Sequence, residues 1–155
     1  MTNTTRPVVS MKYLRGPGFA PQFATGGSAA IDVKAAIEAP ITLQPGAPAI
    51  LIPTGFALDF SSHPDLVGLL VPRSGMGHKE GFELGNTVGV IDSDYHGEIM
   101  VSCIARGPLP VRIEPHQRIA QLLLVPVVRA IFGVVSEFKE ETARGTGGFG
   151  STGKL

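Results

Sequence analysis

Twenty glycines and thirteen prolines are spread along this 155-residue chain instead of pooling in a linker, and they cut it into short segments rich in Val, Ile and Leu. Such spacing favours strands over long helices and predicts an all-β domain. The expected strands cover residues 8–13, 30–34, 49–53, 55–59, 67–71, 87–91, 99–105, 111–113 and 119–126, with turn residues between them. One short helical stretch is expected after Gly75, through His78 and Glu80, and residues 132–142 suit strand or helix equally. Strands at this spacing build a sandwich, a barrel or a jelly roll, and periodicity alone does not choose among them. No long-period repeat is visible.

Composition narrows the function classes. At 43% hydrophobic and 17% charged, the chain has the material for one domain with a real core. Thirteen basic residues balance thirteen acidic ones, which removes any global attraction to nucleic acid or an anionic membrane. Cys103 is alone, so neither an internal disulfide nor a multi-cysteine zinc site can form, and its expected role is that of a small buried hydrophobe in a reducing compartment. The N-terminus lacks the layout of a signal peptide, and no apolar run approaches the ~20 residues that span a bilayer. A cytoplasmic protein is expected. The four histidines, His63, His78, His96 and His116, show no H-x-x-x-H or H-E-x-x-H spacing, which argues against a zinc hydrolase.

Five segments carry residues suited to chemistry. The tail from Arg144 reads RGTGGFGSTGKL. It fits two phosphate-loop patterns on paper, but no helix can follow the glycines and Leu155 stands where a Walker A loop needs Ser or Thr. What remains is general: glycines let successive N–H groups turn toward one anion, and Arg144, Ser151, Thr152 and Lys154 add charge and donors. The alternative is a solubilising tail. In Pro72-Arg73-Ser74-Gly75 a guanidinium and a hydroxyl can grip phosphate oxygens, although an ordinary turn with a solvated Arg explains it as well.

The segment GNTVGVIDSDYHGE, residues 85–98, looks like a hairpin with its turn at 92–97. Asn86 and an exposed backbone edge can pair with a base, Tyr95 can stack beneath a sugar or base, and Asp92 can take a proton from water. If the chain is extended there, Asp92 and Asp94 share a face and could hold a metal instead. Arg118-Ile119-Ala120-Gln121 opens an apolar run and suits the start of a buried strand. Asp32 lies within the apolar stretch SAAIDVKAA, where a strand carboxylate usually faces solvent.

Taken in order, SAAIDVKAA, PRSG with its following GMGHK, GNTVGVIDSDYHGE, RIAQ and RGTGGFGSTG resemble the five motifs of the trimeric dUTPase family, over nearly the whole chain from Ser28 to Gly153. The resemblance implies a jelly-roll (β-clip) subunit, residues 1–143, with a flexible Gly-rich arm, residues 144–155, closing a neighbouring active site in a homotrimer. It also implies Mg2+-dependent hydrolysis of dUTP to dUMP and pyrophosphate, supplying dUMP for thymidylate synthesis and keeping uracil out of DNA. Asp92 would activate the water that attacks the α-phosphorus, and Tyr95 would pack under the deoxyribose. Asn86, with Val90, Met100 and the backbone of the hairpin, would surround the uracil. Arg73, Ser74, Gly75 and Gln121 would face the phosphates, Arg144, Gly150, Ser151 and Thr152 would close over them, and Phe149 would stack on the base. Asp32 would hold a water of the Mg2+ shell, the metal riding mainly on the triphosphate. Neither membrane nor nucleic acid is an expected partner.

Two departures from the family pattern stand out: Ala30 where glycine is usual, and Pro115-His116-Gln117 where a glycine and an acid usually precede Arg118. Rival readings are a dCTP deaminase of the same fold, for which a Glu is expected where Asp92 stands, and a regulatory protein that keeps the pocket without turnover. A base-stacking nucleic-acid barrel is disfavoured by neutral charge, two tyrosines and no tryptophan.

Overall fold

The computed structural model describes residues 6–148. Eleven strands run in the order β1 (Ser10–Tyr13), β2 (Gln22–Phe23), β3 (Ile31–Lys34), β4 (Ile41–Leu43), β5 (Ile50–Asp59), β6 (Leu66–Pro72), β7 (Phe82–Leu84), β8 (Gly89–Ile91), β9 (Glu98–Ala105), β10 (Val111–Ile113) and β11 (Arg118–Pro126). They form a four-stranded sheet, β1-β5-β9-β7, a five-stranded sheet, β2-β3-β11-β6-β8, and a two-stranded ladder, β10-β4. All three contribute to one hydrophobic core, the layered arrangement of a jelly roll.

Strand β9 shows why these segments form sheets. Its residues alternate half-buried and buried along its whole length, so Ile99, Val101, Cys103 and Ala105 face the core while their neighbours face outward. Cys103 is the buried hydrophobe expected, and burial pushes its thiol pKa up to about 12. Phe56, Phe60, Phe82, Ile52, Leu70 and Ile119 fill the space between the sheets.

Residues 49–59 read as two strands because Pro53 and Gly55 interrupt them, yet β5 is continuous. Pro53 is tolerated because β1 pairs only with Phe56–Asp59, so no partner strand lies on that side to miss its N–H. The register against β9 slips between Pro53 and Ala57, where Gly55 takes φ +81°, a left-handed value that favours glycine. The buried Thr54 hydroxyl closes this bulge by donating to the Ile99 carbonyl at 2.7 Å.

The helical stretch after Gly75 is a single turn, Met76–Glu80, ended by Gly81 in the left-handed region. Residues 132–142 are neither strand nor helix. They belong to an irregular segment following β11 in which Val128, Ile131, Phe132, Val134 and Phe138 are each at least 90% exposed. Among the described residues no helix is long and apolar enough to cross a membrane.

Candidate active site

Asp32 lies on β3, which is flanked by β2 and β11. Its side chain is buried, not solvent-facing as its place in a strand suggested, because cations and an amide follow it inward. Arg73 Nε donates to Oδ1 at 2.9 Å, Arg118 Nη1 to Oδ2 at 2.9 Å, and Gln121 Nε2 to Oδ1 at 3.4 Å. The fold makes this convergence simple. Gln121 is the direct cross-strand partner of Asp32, so the two share a face. Pro72, at the end of β6, lies opposite Ala120, which delivers Arg73 beside them. A second Arg73 nitrogen, Nη1, reaches the Arg118 carbonyl at 3.5 Å. Ser74 and Gly75 follow, exposed, and the Gly77 N–H bonds back to the Arg73 carbonyl at 3.0 Å. Neither guanidinium is fully enclosed: the Arg73 and Arg118 side chains keep 26% and 51% of their accessible surface. With two guanidiniums on one carboxylate the cluster carries a net positive charge that is open at its rim, a setting suited to an anion.

The sequence singled out Arg118 only as the head of a strand. Its pairing with Asp32, 86 residues away, has no local signal. The turn before it explains one departure from the family pattern. His116 adopts φ +62°, the conformation in which glycine is at ease, and is held there by an N–H bond to the Ala35 carbonyl at 2.9 Å. Its ring stacks on Phe19 with centroids 4.5 Å apart and planes within 3°.

The segment expected to be a hairpin is not one. β8 pairs with β6 in the five-stranded sheet while β9 pairs with β5 and β7 in the other, so residues 92–97 cross between sheets. The reason lies in the flanks: Gly85 is anchored to the Ser102 carbonyl, and Gly68 and Gly89 let β6 and β8 approach closely, with Ile91 and Leu70 filling the space a Cβ would need. Asn86 is exposed, its carbonyl accepting from the Val88 N–H at 2.7 Å and the Thr87 hydroxyl at 2.6 Å. Val90 is exposed on the outer side of β8, and Met100 is half-buried on β9.

Asp92 is exposed at the head of the crossing, where its carbonyl accepts the Tyr95 N–H at 3.1 Å. That turn removes the extended geometry by which Asp92 and Asp94 would share a face. The buried Ser93 pins the loop, its carbonyl accepting from the Phe60 N–H at 3.4 Å. The Tyr95 ring lies against Gly97, and its hydroxyl donates to the Glu98 carbonyl at 3.2 Å.

Within one chain these groups stay apart. β8 runs antiparallel to β6 with Ile91 opposite Gly68, so Asp92 leaves the sheet at the end of β6 remote from Arg73. Six residues of strand separate them, roughly 20 Å of extended chain. Arg144 is exposed, its Nε donating to the Gly147 carbonyl at 2.9 Å. Phe149, Gly150, Ser151 and Thr152 lie outside the described residues.

Among the described residues no three His, Cys, Asp or Glu side chains are grouped to cage a metal ion. Asp32 still suits a water-mediated role: three donors occupy its two oxygens, and a carboxylate offers about four acceptor positions, leaving room for one bound water.

An all-β scaffold carrying paired arginines over a buried carboxylate, with an exposed Asp and Tyr on a separate loop, defines a protein suited to holding a polyphosphate ester. The family model for dUTPase matches residues 18–153, and the chain belongs to the dUTPase family. The deoxyuridine 5′-triphosphate nucleotidohydrolases of Nitrosospira multiformis and Paraburkholderia phymatum are 55% and 52% identical over 134 residues, 86% of this chain and 88% of each relative. Among solved structures, the dUTPase of Staphylococcus bacteriophage 80alpha with dUPNHPP superposes with a TM-score of 0.80 at 26% identity, covering 96% of this chain and 99% of that one. The phage phi11 dUTPase, described with a structural Mg(II) ion, shares the fold at 21% identity and a TM-score of 0.74 over 86% of this chain and 99% of that one.

Proposed function

We propose that this chain, a dUTPase that hydrolyses dUTP to dUMP and pyrophosphate, works as a homotrimer whose sites are shared between subunits. The observation that carries the shared-site reading is the separation of Arg73 from Asp92 by the length of β6. A single nucleotide meets both groups when one chain supplies the phosphate cluster and a second supplies the loop. The exposed apolar side chains between Val128 and Phe138 support assembly, since a surface of this kind needs a covering partner.

In such a site Arg73, Ser74, Gly75 and Gln121 bind phosphate oxygens and draw charge away from the leaving pyrophosphate. Asp92 holds the attacking water in line and accepts its proton, and placing the water matters as much as taking the proton. Tyr95 forms the floor beneath the sugar and leaves no space for a 2′-hydroxyl. Asn86, Val90 and Met100 surround the uracil and exclude the thymine methyl. Arg144 with Gly150, Ser151 and Thr152 closes on the terminal phosphates, with Phe149 over the base. Mg2+ accompanying the triphosphate would supply further charge neutralisation, and Asp32 is the residue that would hold it through water.

The test is pyrophosphate release with Mg2+ from dUTP, dCTP, dTTP and UTP, for the wild type and Asp92→Asn. Release from dUTP alone, reduced by about a thousandfold in the variant, is expected. Intact dUTP in the presence of binding would favour a regulatory protein, and ammonia from dCTP would favour a deaminase.

A further inference from the structure

We infer that Glu98 and Arg15 form a positioning pair that fixes Tyr95, and so set how strictly a 2′-deoxyribose is selected over a ribose; the inference rests on the placement of Tyr95 beneath the sugar proposed above. The ring is held at its far end by the hydroxyl bond to the Glu98 carbonyl, 3.2 Å, and that end sits close to Gly97, where a Cβ would overlap the hydroxyl and the ring carbon that bears it. The height of that floor therefore follows the position of Glu98. Two elements hold Glu98 in turn. Its Oε1 accepts the Gly55 N–H at 2.8 Å and Arg15 Nε at 3.1 Å, while Oε2 accepts Arg15 Nη2 at 3.5 Å. The Gly55 N–H is available because the β5 bulge takes it out of register with β9. Its carbonyl accepts the Leu14 and Arg15 N–H groups at 2.8 and 3.3 Å. The segment after β1, the bulge of β5 and the first residue of β9 thus meet at one carboxylate, and Tyr95 hangs from its backbone.

A ribose differs from a deoxyribose by one oxygen, so a floor displaced by well under 1 Å begins to admit it. Of the residues placed around the uracil, Asn86 and Val90 belong to β8 and the turn before it, which pairs with β6 and not with the strands that meet at Glu98, while Met100 lies two residues along β9, so rejection of the thymine methyl should depend on this joint less than rejection of ribose.

Steady-state pyrophosphate release from dUTP, UTP and dTTP by Glu98→Gln and Arg15→Gln, with Arg15→Lys as the conservative variant, tests the inference. The preference for dUTP over UTP should fall about tenfold in Glu98→Gln and roughly threefold in Arg15→Gln, and Arg15→Lys should recover part of it. The preference over dTTP should fall clearly less. An independent readout comes from the two tyrosines and absent tryptophan: in a Tyr13→Phe background, fluorescence quenching by acrylamide reports Tyr95 alone and should rise when Arg15 is replaced. A UTP preference unchanged within twofold, an equal fall in both preferences, or unchanged quenching would each overturn the inference. Should Glu98→Gln fail to fold, the half-exposed Arg15 decides the matter. Lack of dUTP turnover by the wild type would fail the underlying assignment instead, and quenching would still test the clamp.

Discussion

Two aspartates divide this molecule. Asp32 is buried and its oxygens are committed to two guanidiniums and an amide, whereas Asp92 stands exposed on a loop crossing between sheets. A carboxylate committed in this way organises its neighbours, setting the angle at which Arg73 and Arg118 present their remaining donors. One left open is free to orient water. The same side chain thus serves as architecture in one place and as a candidate reactive group in the other, and the difference lies in what the fold places opposite it.

Asp92→Asn is the sharpest way to probe this contrast: the loss of turnover anticipated above should come with an unchanged melting temperature. Asp32→Asn should do the reverse in part. It leaves two cations without their counter-charge, and an expected loss of about 1–2 kcal/mol, discounted for the exposure of both arginines, should appear in urea unfolding along with weaker nucleotide binding. Equal stability of the two variants would break the comparison.

Titration sharpens it further. Cys103, raised from 9.0 to about 12, keeps in the folded state a proton that the unfolded chain releases. Its contribution is intact below pH 9 and is lost as pH rises toward 12, so Cys103→Ala should flatten the alkaline fall in melting temperature between about pH 9 and 11. The smallest effect is expected at Asp59, whose pKa is lowered by the Ser61 N–H, then the Ser61 hydroxyl and His96. That contribution is present above the ordinary value of 3.8 and is lost as pH falls through the lower folded one. Asp59→Asn should therefore trail the wild type slightly at neutral pH and converge with it as the pH falls below 3.8 in acid melts.

Much of this was legible in the order of residues. Strands such as β9 and β11 declare themselves by alternation or sustained apolar runs, and their limits fall within a residue of expectation. The short strands β2, β4 and β7 were missed because two or three residues carry little period, whereas β10, equally short, was legible from the prolines on either side of it. The crossing at 92–97 resembled a hairpin because turn residues between two apolar runs look alike whether the runs pair with each other or with strands elsewhere. Asp32 appeared solvent-facing for a related reason: its partners, Arg73, Arg118 and Gln121, come from segments 41 or more residues away. What local pattern conveys is which residues carry chemistry, and what it omits is which distant ones they meet.

The distance along β6 between Arg73 and Asp92 has a genetic reading. If each site borrows from two chains, a subunit crippled at Arg73 and another crippled at Asp92 are not equally dead in company. Unfolded together and reassembled in equal amounts, they should regenerate about one intact site in four from two inactive parents. Two defective copies of the coding sequence in one cell would then complement each other, whereas a site confined to a single chain would give no recovery.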